Sequence, residues 1–125
     1  MGLSQFTAKV LVCDDSLLIR KQLTDFLAQF GTYELFQATR GDEALKVFEE
    51  TRPDIVFLDI VMPELDGLEC LKLMKKIHPG VKVVMLSSLG TKENLRTALD
   101  LGAVDFIQKP WKKDQLTQIL ARLKG

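Results

Sequence analysis

One histidine, two cysteines and no excess of either charge are the scarcities that first constrain this chain of 125 residues. The lone histidine, His78 in "IHPG", disfavours zinc, which is usually held by several nitrogen or sulfur ligands. Cys13 and Cys70 fall in a predicted strand and a predicted helix and read as reduced packing residues, not reactive thiols. Lys plus Arg and Asp plus Glu each number 17, so the formal net charge is zero. That balance removes the electrostatic footprint of most nucleic-acid binders, and no nucleic-acid partner is expected. No apolar run reaches the length of a membrane span, and the N-terminus lacks a basic-then-apolar leader. No membrane insertion is therefore expected, and the expected location is cytoplasmic. Nucleotide fingerprints with spaced glycines are absent, as are repeats, low-complexity tracts and linkers. The remaining composition, 46% hydrophobic and 27% charged, is that of one ordinary globular domain over residues 1–125 with no output domain.

What is present is a regular alternation. Five runs rich in β-branched or aromatic residues recur: "KVLVC" (9–13), "YELFQA" (33–38), "DIVFLD" (54–59), "VKVVMLS" (81–87) and "VDFIQ" (104–108). Between and after them lie five segments with helical spacing. Ile19, Leu23, Phe26, Leu27 and Phe30 share one face, as do Leu116, Ile119, Leu120 and Leu123 near the C-terminus. Ala44, Leu45 and Phe48, then Leu68, Leu71 and Met74, then Leu95, Ala98 and Leu99 mark three shorter helices. Gly31, Pro53, Pro79-Gly80 and Gly102 punctuate the boundaries. Near-continuously apolar strands alternating with helices predict a parallel sheet covered on both faces, an α/β fold that is doubly wound.

In such sheets ligands bind in the crevice at the carboxyl ends of the strands. Strand one ends at Asp14 and Asp15, strand three at Asp59, strand four at Ser87 and Ser88, and strand five at Lys109 before Pro110. Strand two ends in "ATRGD", which adds nothing obvious. Two unit charges about 4 Å apart repel by roughly 4 kcal/mol at an effective dielectric near 20, so gathered carboxylates need a counter-ion. An all-oxygen site with few carboxylates suits Mg²⁺ retaining several waters. A metal, a lysine, a hydroxyl and a fixed carboxylate together can handle a phosphoryl group, with Asp59 as the nucleophile. Asp54 lies at the far end of the same strand, and Asp66 is expected to cap the next helix. Ser88 should point away from Ser87 by strand alternation.

Asp14-Asp15, then "LDIVMPELDG" around Asp59, then Ser87, then "DFIQKP" resemble the receiver domain of two-component response regulators. The resemblance covers about residues 9–124. It implies a five-stranded sheet of flavodoxin-like order 2-1-3-4-5 with five helices, and Asp59 as acceptor of a phosphoryl group from a sensor histidine kinase. It further implies Mg²⁺ on Asp15, Asp59 and the backbone carbonyl of Val61, with Asp14 assisting through water. Lys109, before a cis peptide to Pro110, and Ser87 would contact the phosphoryl group. Phe106 takes the aromatic switch position, where Tyr is common, and Trp111 stands where Phe usually follows Lys-Pro; it is expected to pack under the last helix. A protein of this kind modifies itself and turns over no separate substrate, so no enzyme in the usual sense is expected.

Two other readings fail on particular residues. A haloacid-dehalogenase-type phosphohydrolase needs an acid where Val61 stands, and a flavin binder would meet repulsion at Asp14 and Asp15. "SSLGTKENLRTALDLGAVDFIQKPW" resembles the single-domain chemotaxis regulators, which implies a monomer whose face formed by the fourth helix, fifth strand and fifth helix binds the flagellar motor switch. The alternative is a receiver cut from a longer DNA-binding or enzymatic regulator. By the same resemblance, the side chains of Val61 and Leu89 flank the water that hydrolyses an aspartyl phosphate. Both are apolar, so slow self-dephosphorylation and an auxiliary phosphatase are expected.

Overall fold

The computed structural model describes residues 8–88 and 92–124. Ten elements alternate along them: β1 (Ala8–Cys13), α1 (Leu17–Phe30), β2 (Tyr33–Ala38), α2 (Gly41–Thr51), β3 (Ile55–Asp59), α3 (Gly67–Ile77), β4 (Lys82–Ser87), α4 (Lys92–Asp100), β5 (Asp105–Gln108) and α5 (Lys113–Lys124). All strand pairs are parallel, in the order β2-β1-β3-β4-β5. The expected doubly wound α/β sheet with five helices is therefore the observed fold. Strands three, four and five each start one residue later than the apolar runs suggest. Asp54 stays outside β3, where its carboxylate accepts a hydrogen bond from the Lys9 amide (2.8 Å).

The period of two along each strand divides the core. Leu11, Cys13, Val56, Leu58, Val83 and Met85 face one side, where Phe48 of α2, Leu71 and Met74 of α3 and Ala98 of α4 cover them. Val10, Val12, Ile55, Phe57, Val84 and Leu86 face the other side, under Leu23 and Leu27 of α1 and Leu116, Ile119 and Leu120 of α5. Central strands buried on both faces explain why their sequences read as continuous apolar runs. Cys13 and Cys70 are buried free thiols on the α2–α3 side, and burial pushes both up, Cys70 to about 12. Both are packing groups, as their sequence context indicates. Trp111 packs partly buried against the α1–α5 side of the core.

Caps fix where helices begin beside the sheet edge. Ser16 accepts from the Ile19 amide to start α1, and Asp66 accepts from the Glu69 amide (2.9 Å) to start α3, the role expected of it. The helix after "ATRGD" begins inside that motif, at Gly41. Glu43 accepts from the Thr39 amide (2.6 Å) and hydroxyl (3.3 Å) at that helix start. No helix among the described residues is long and apolar enough to cross a membrane.

Candidate functional site: an acidic cluster bridged by one lysine

The carboxyl ends of β1 and β3 bring Asp14, Asp15 and Asp59 together, with one ligand oxygen from each lying within 4.8 Å of the others. Their environments differ. Asp14 is fully buried and Asp59 nearly so, whereas Asp15 is exposed. The two adjacent aspartates thus do not surface together: strand pairing continues through the Asp14 amide, which donates to the Ala38 carbonyl (3.1 Å), and only Asp15 reaches the rim. The Asp14 Oδ1 accepts from the Ser16 amide (2.9 Å), and its Oδ2 accepts from Lys109 Nζ (2.7 Å). Lys109 Nζ also lies 3.3 Å from Asp59 Oδ2, so one ammonium bridges two buried carboxylates.

The Lys109 amide donates to the Ser87 carbonyl (2.7 Å), which holds the residue beside the end of β4; the Lys109-Pro110 peptide is cis, as the resemblance implies. Asp59 is fixed by β3 and by the Val61 amide, which donates to its Oδ1 (3.4 Å). Behind it the chain folds back tightly. The Gly67 amide donates to the Ile60 carbonyl (2.6 Å), and a Cβ at Gly67 would collide with the Asp59 carbonyl. Gly41 supports the same loop, its amide donating to the Pro63 carbonyl (3.2 Å). The "ATRGD" stretch therefore does contribute, as scaffold for the β3–α3 loop. Nothing local in the sequence signals this, because the partner lies more than twenty residues away.

Ser87 is buried at the end of β4 and Ser88 is exposed, in line with strand alternation. Met85 pairs with Phe106 and Ser87 with Gln108. Phe106 is half-buried and packs on the α2–α3–α4 side, the side that Met85, and by alternation Ser87, also face. Val61 is 66% exposed, while Leu89 lies outside the described residues. Arg20 of α1, not singled out by sequence reasoning, donates from Nη1 to the Asp14 carbonyl (2.8 Å). Its spacing, six residues beyond Asp14 and one helical turn past the cap, was the available signal.

Three carboxylates and one ammonium leave two negative charges in excess, the charge that one divalent cation balances. Hard oxygen donors with one exposed member suit such an ion. Burial, and next the Asp14 charge, raise the Asp59 carboxyl from 3.8 to about 6, against the lowering effects of Lys109 and the Val61 amide. Burial lowers Lys109, but its hydrogen bond to Asp14 and the charge of Asp59 outweigh that and leave it raised.

The family model for the response regulator receiver domain matches residues 10–121, and the chain belongs to that family. It is similar to a chemotaxis protein CheY from Thermotoga maritima, 35% identical over 92% of this chain and 96% of that one. It is also similar to a protein-glutamate methylesterase/protein-glutamine glutaminase from Geobacillus kaustophilus, 47% identical over 83% of this chain but only 30% of that protein. Among solved structures, a CheX-CheY-BeF3-Mg²⁺ complex from Borrelia burgdorferi matches with a TM-score of 0.91 at 32% identity, covering 96% of this chain and 91% of that one.

The raised Asp59 carboxyl makes folding stability depend on pH. Between about pH 4 and pH 6 the folded chain holds a proton that the unfolded chain has released, so stability falls as pH rises through that window. In EDTA, chemical denaturation should show wild type losing stability relative to Asp59→Asn from about pH 4 to pH 6, with a constant difference above. A difference that does not change with pH would contradict the assigned cause.

Proposed function

We propose that the chain is a phosphoryl-accepting signalling switch in which Asp59 is the acceptor. The observation that carries this reading is Lys109 bridging Asp14 and Asp59 beside the exposed Asp15, with two negative charges in excess. The donor is a phosphohistidine of a sensor histidine kinase. An Asp59 oxygen attacks phosphorus, the phosphorus–nitrogen bond breaks, and the imidazole leaves with the bond electrons. Asp15, Asp59 and the Val61 carbonyl would hold Mg²⁺ directly. Asp14 would act through water, since its carboxylate already serves Ser16 and Lys109. When bound, Mg²⁺ supplies neutralisation of charge on the phosphoryl oxygens. Lys109 turns toward the same group, and Ser87 donates its hydroxyl to a further oxygen.

The signal passes through Ser87 and Phe106 to the α4-β5-α5 face. Leu95, Leu99 and Val104 expose apolar surface there, beside Arg96 and Asp100, a composition fitted to a protein partner. Moving a two-state switch from 1:99 to 99:1 takes about 5.5 kcal/mol. One charge-assisted hydrogen bond from Ser87 gives about 1.5–3 kcal/mol, so Lys109 and backbone amides contribute the rest. The target we favour is a flagellar motor switch, reached by a cytoplasmic, monomeric receiver. Similarity to CheY relatives over 91–92% of this chain supports that choice. A receiver belonging to a longer regulator is the second reading. It is favoured by the higher identity to methylesterase receivers, 47% and 49%, than to the CheY relatives, 35% and 37%.

One labelling experiment tests acceptor and switch together. With acetyl phosphate and Mg²⁺, wild type should be labelled and bind a motor-switch fragment. Asp59→Asn should remain unlabelled, and Ser87→Ala should be labelled yet fail to bind. Equal labelling of Asp59→Asn refutes the acceptor assignment, and undiminished binding by labelled Ser87→Ala moves the switch elsewhere.

The lifetime of the phosphorylated state follows from the groups flanking the attacking water. Val61 offers no hydrogen bond to orient it, so self-dephosphorylation is slow and an auxiliary phosphatase ends the signal. After removal of the donor, Val61→Asn/Leu89→Glu should decay several-fold faster than wild type. Equal decay rates would show that flanking polarity does not control the lifetime.

A further inference from the structure

We infer that Arg20 is a positioning residue for the acidic centre: its guanidinium fixes the peptide joining Asp14 to Asp15 and so sets the direction in which Asp15 presents its carboxylate. The inference rests on the phosphoacceptor reading and extends it to a residue outside the cluster. Each hydrogen-bonding group of Asp14 has a partner. The amide donates to the Ala38 carbonyl (3.1 Å), Oδ1 accepts from the Ser16 amide (2.9 Å), Oδ2 accepts from Lys109 (2.7 Å), and the carbonyl accepts from Arg20 Nη1 (2.8 Å). The first three hold Asp14 itself against β2, α1 and β5. The fourth acts on the peptide that leads into Asp15.

Asp15 needs such help. It is exposed, and no hydrogen bond from the described residues holds its carboxylate, so its direction is set through its backbone. Arg20 is suited to the task because it is itself anchored twice. Its Nε donates to Gln37 Oε1 on β2 (3.1 Å) while Nη1 holds the carbonyl. A planar guanidinium with two bonds in fixed relative direction defines the peptide plane, which the single rotating ammonium of a lysine does not. Charge alone would act the other way, since a cation close to the cluster repels a second cation. Geometry and charge therefore predict opposite effects of removing Arg20, which makes the inference decidable.

The test is the dissociation constant for Mg²⁺ alone, by isothermal titration, in wild type, Arg20→Lys, Arg20→Gln and Gln37→Leu, with thermal melting of each in EDTA. Outer partners of metal ligands typically matter by 10–100-fold, so both Arg20 variants should bind Mg²⁺ about tenfold more weakly, Gln37→Leu less so. Labelling by acetyl phosphate should recover to near the wild-type rate when Mg²⁺ is raised to saturation. Wild-type affinity in Arg20→Lys with tighter binding in Arg20→Gln would overturn the inference in favour of charge. Lower melting temperatures with unchanged affinity would overturn it in favour of a purely structural bond. Gln37→Leu keeps the test open should an Arg20 variant fail to fold, and affinity unchanged there too would count against the inference. Failure of the underlying phosphoacceptor reading appears separately, as wild type that binds no Mg²⁺ or Asp15→Asn that binds it unimpaired, and either result takes the inference with it.

Discussion

The bridge from Lys109 to Asp14 and Asp59 is the contact around which the rest of the molecule is arranged. Two carboxylates buried within reach of one another repel by several kcal/mol at an effective dielectric near 20; a single ammonium at 2.7 and 3.3 Å offsets that repulsion but leaves the burial of charge and the third carboxylate, Asp15, uncompensated. The parallel register of β1, β3 and β4 brings the acidic strand ends level, and the β4–β5 pairing carries the lysine to them. Close backbone approach at Gly67 and Gly41 keeps the loop after Asp59 folded against the sheet, where Val61 can turn its amide toward the carboxylate. Structural energy is thus spent on holding like charges together. Such an arrangement is stable only because the surrounding core is well buried on both sheet faces.

For the proposed switch, the same sheet offers a link between the cluster and a distant surface. Ser87 closes β4 on the side where Phe106 packs, and Met85 pairs directly with Phe106. Under the proposed function, a movement of the Ser87 hydroxyl would act first on the β4 end and on Phe106 of the neighbouring strand. α4, with its exposed Leu95 and Leu99, lies next in line. A two-state element of this kind needs only a differential interaction with one of its states, not a continuous mechanical path.

Sequence patterning carried the fold because each strand had a single dominant demand, burial on both faces, and each helix one apolar stripe. The chemical residues were legible for a related reason: in a parallel sheet they must stand at the carboxyl strand ends, so position along the chain becomes position in space. Asp66 was readable as a cap from its place before Gly67. What stayed hidden depended on contacts between distant segments. The unequal burial of Asp14 and Asp15 follows from the pairing of Asp14 with Ala38, and the roles of Gly41 and Arg20 follow from Pro63 and the Asp14 carbonyl. The partners Ala38 and Pro63 lie more than twenty residues from Asp14 and Gly41 and leave no local signal, whereas Arg20 sits one helical turn past the Ser16 cap.

The central claim is that the cluster is an unfinished charge balance, with two negative charges in excess, which one divalent cation completes. Equilibrium denaturation at about pH 7.5, with and without Mg²⁺, tests it most directly. A ligand that binds only the folded chain stabilises it by about 2.7 kcal/mol at one hundred times its dissociation constant. The account predicts a gain of that size for wild type and a much smaller one for Asp59→Asn. An equal gain in both, or none in wild type, would contradict it.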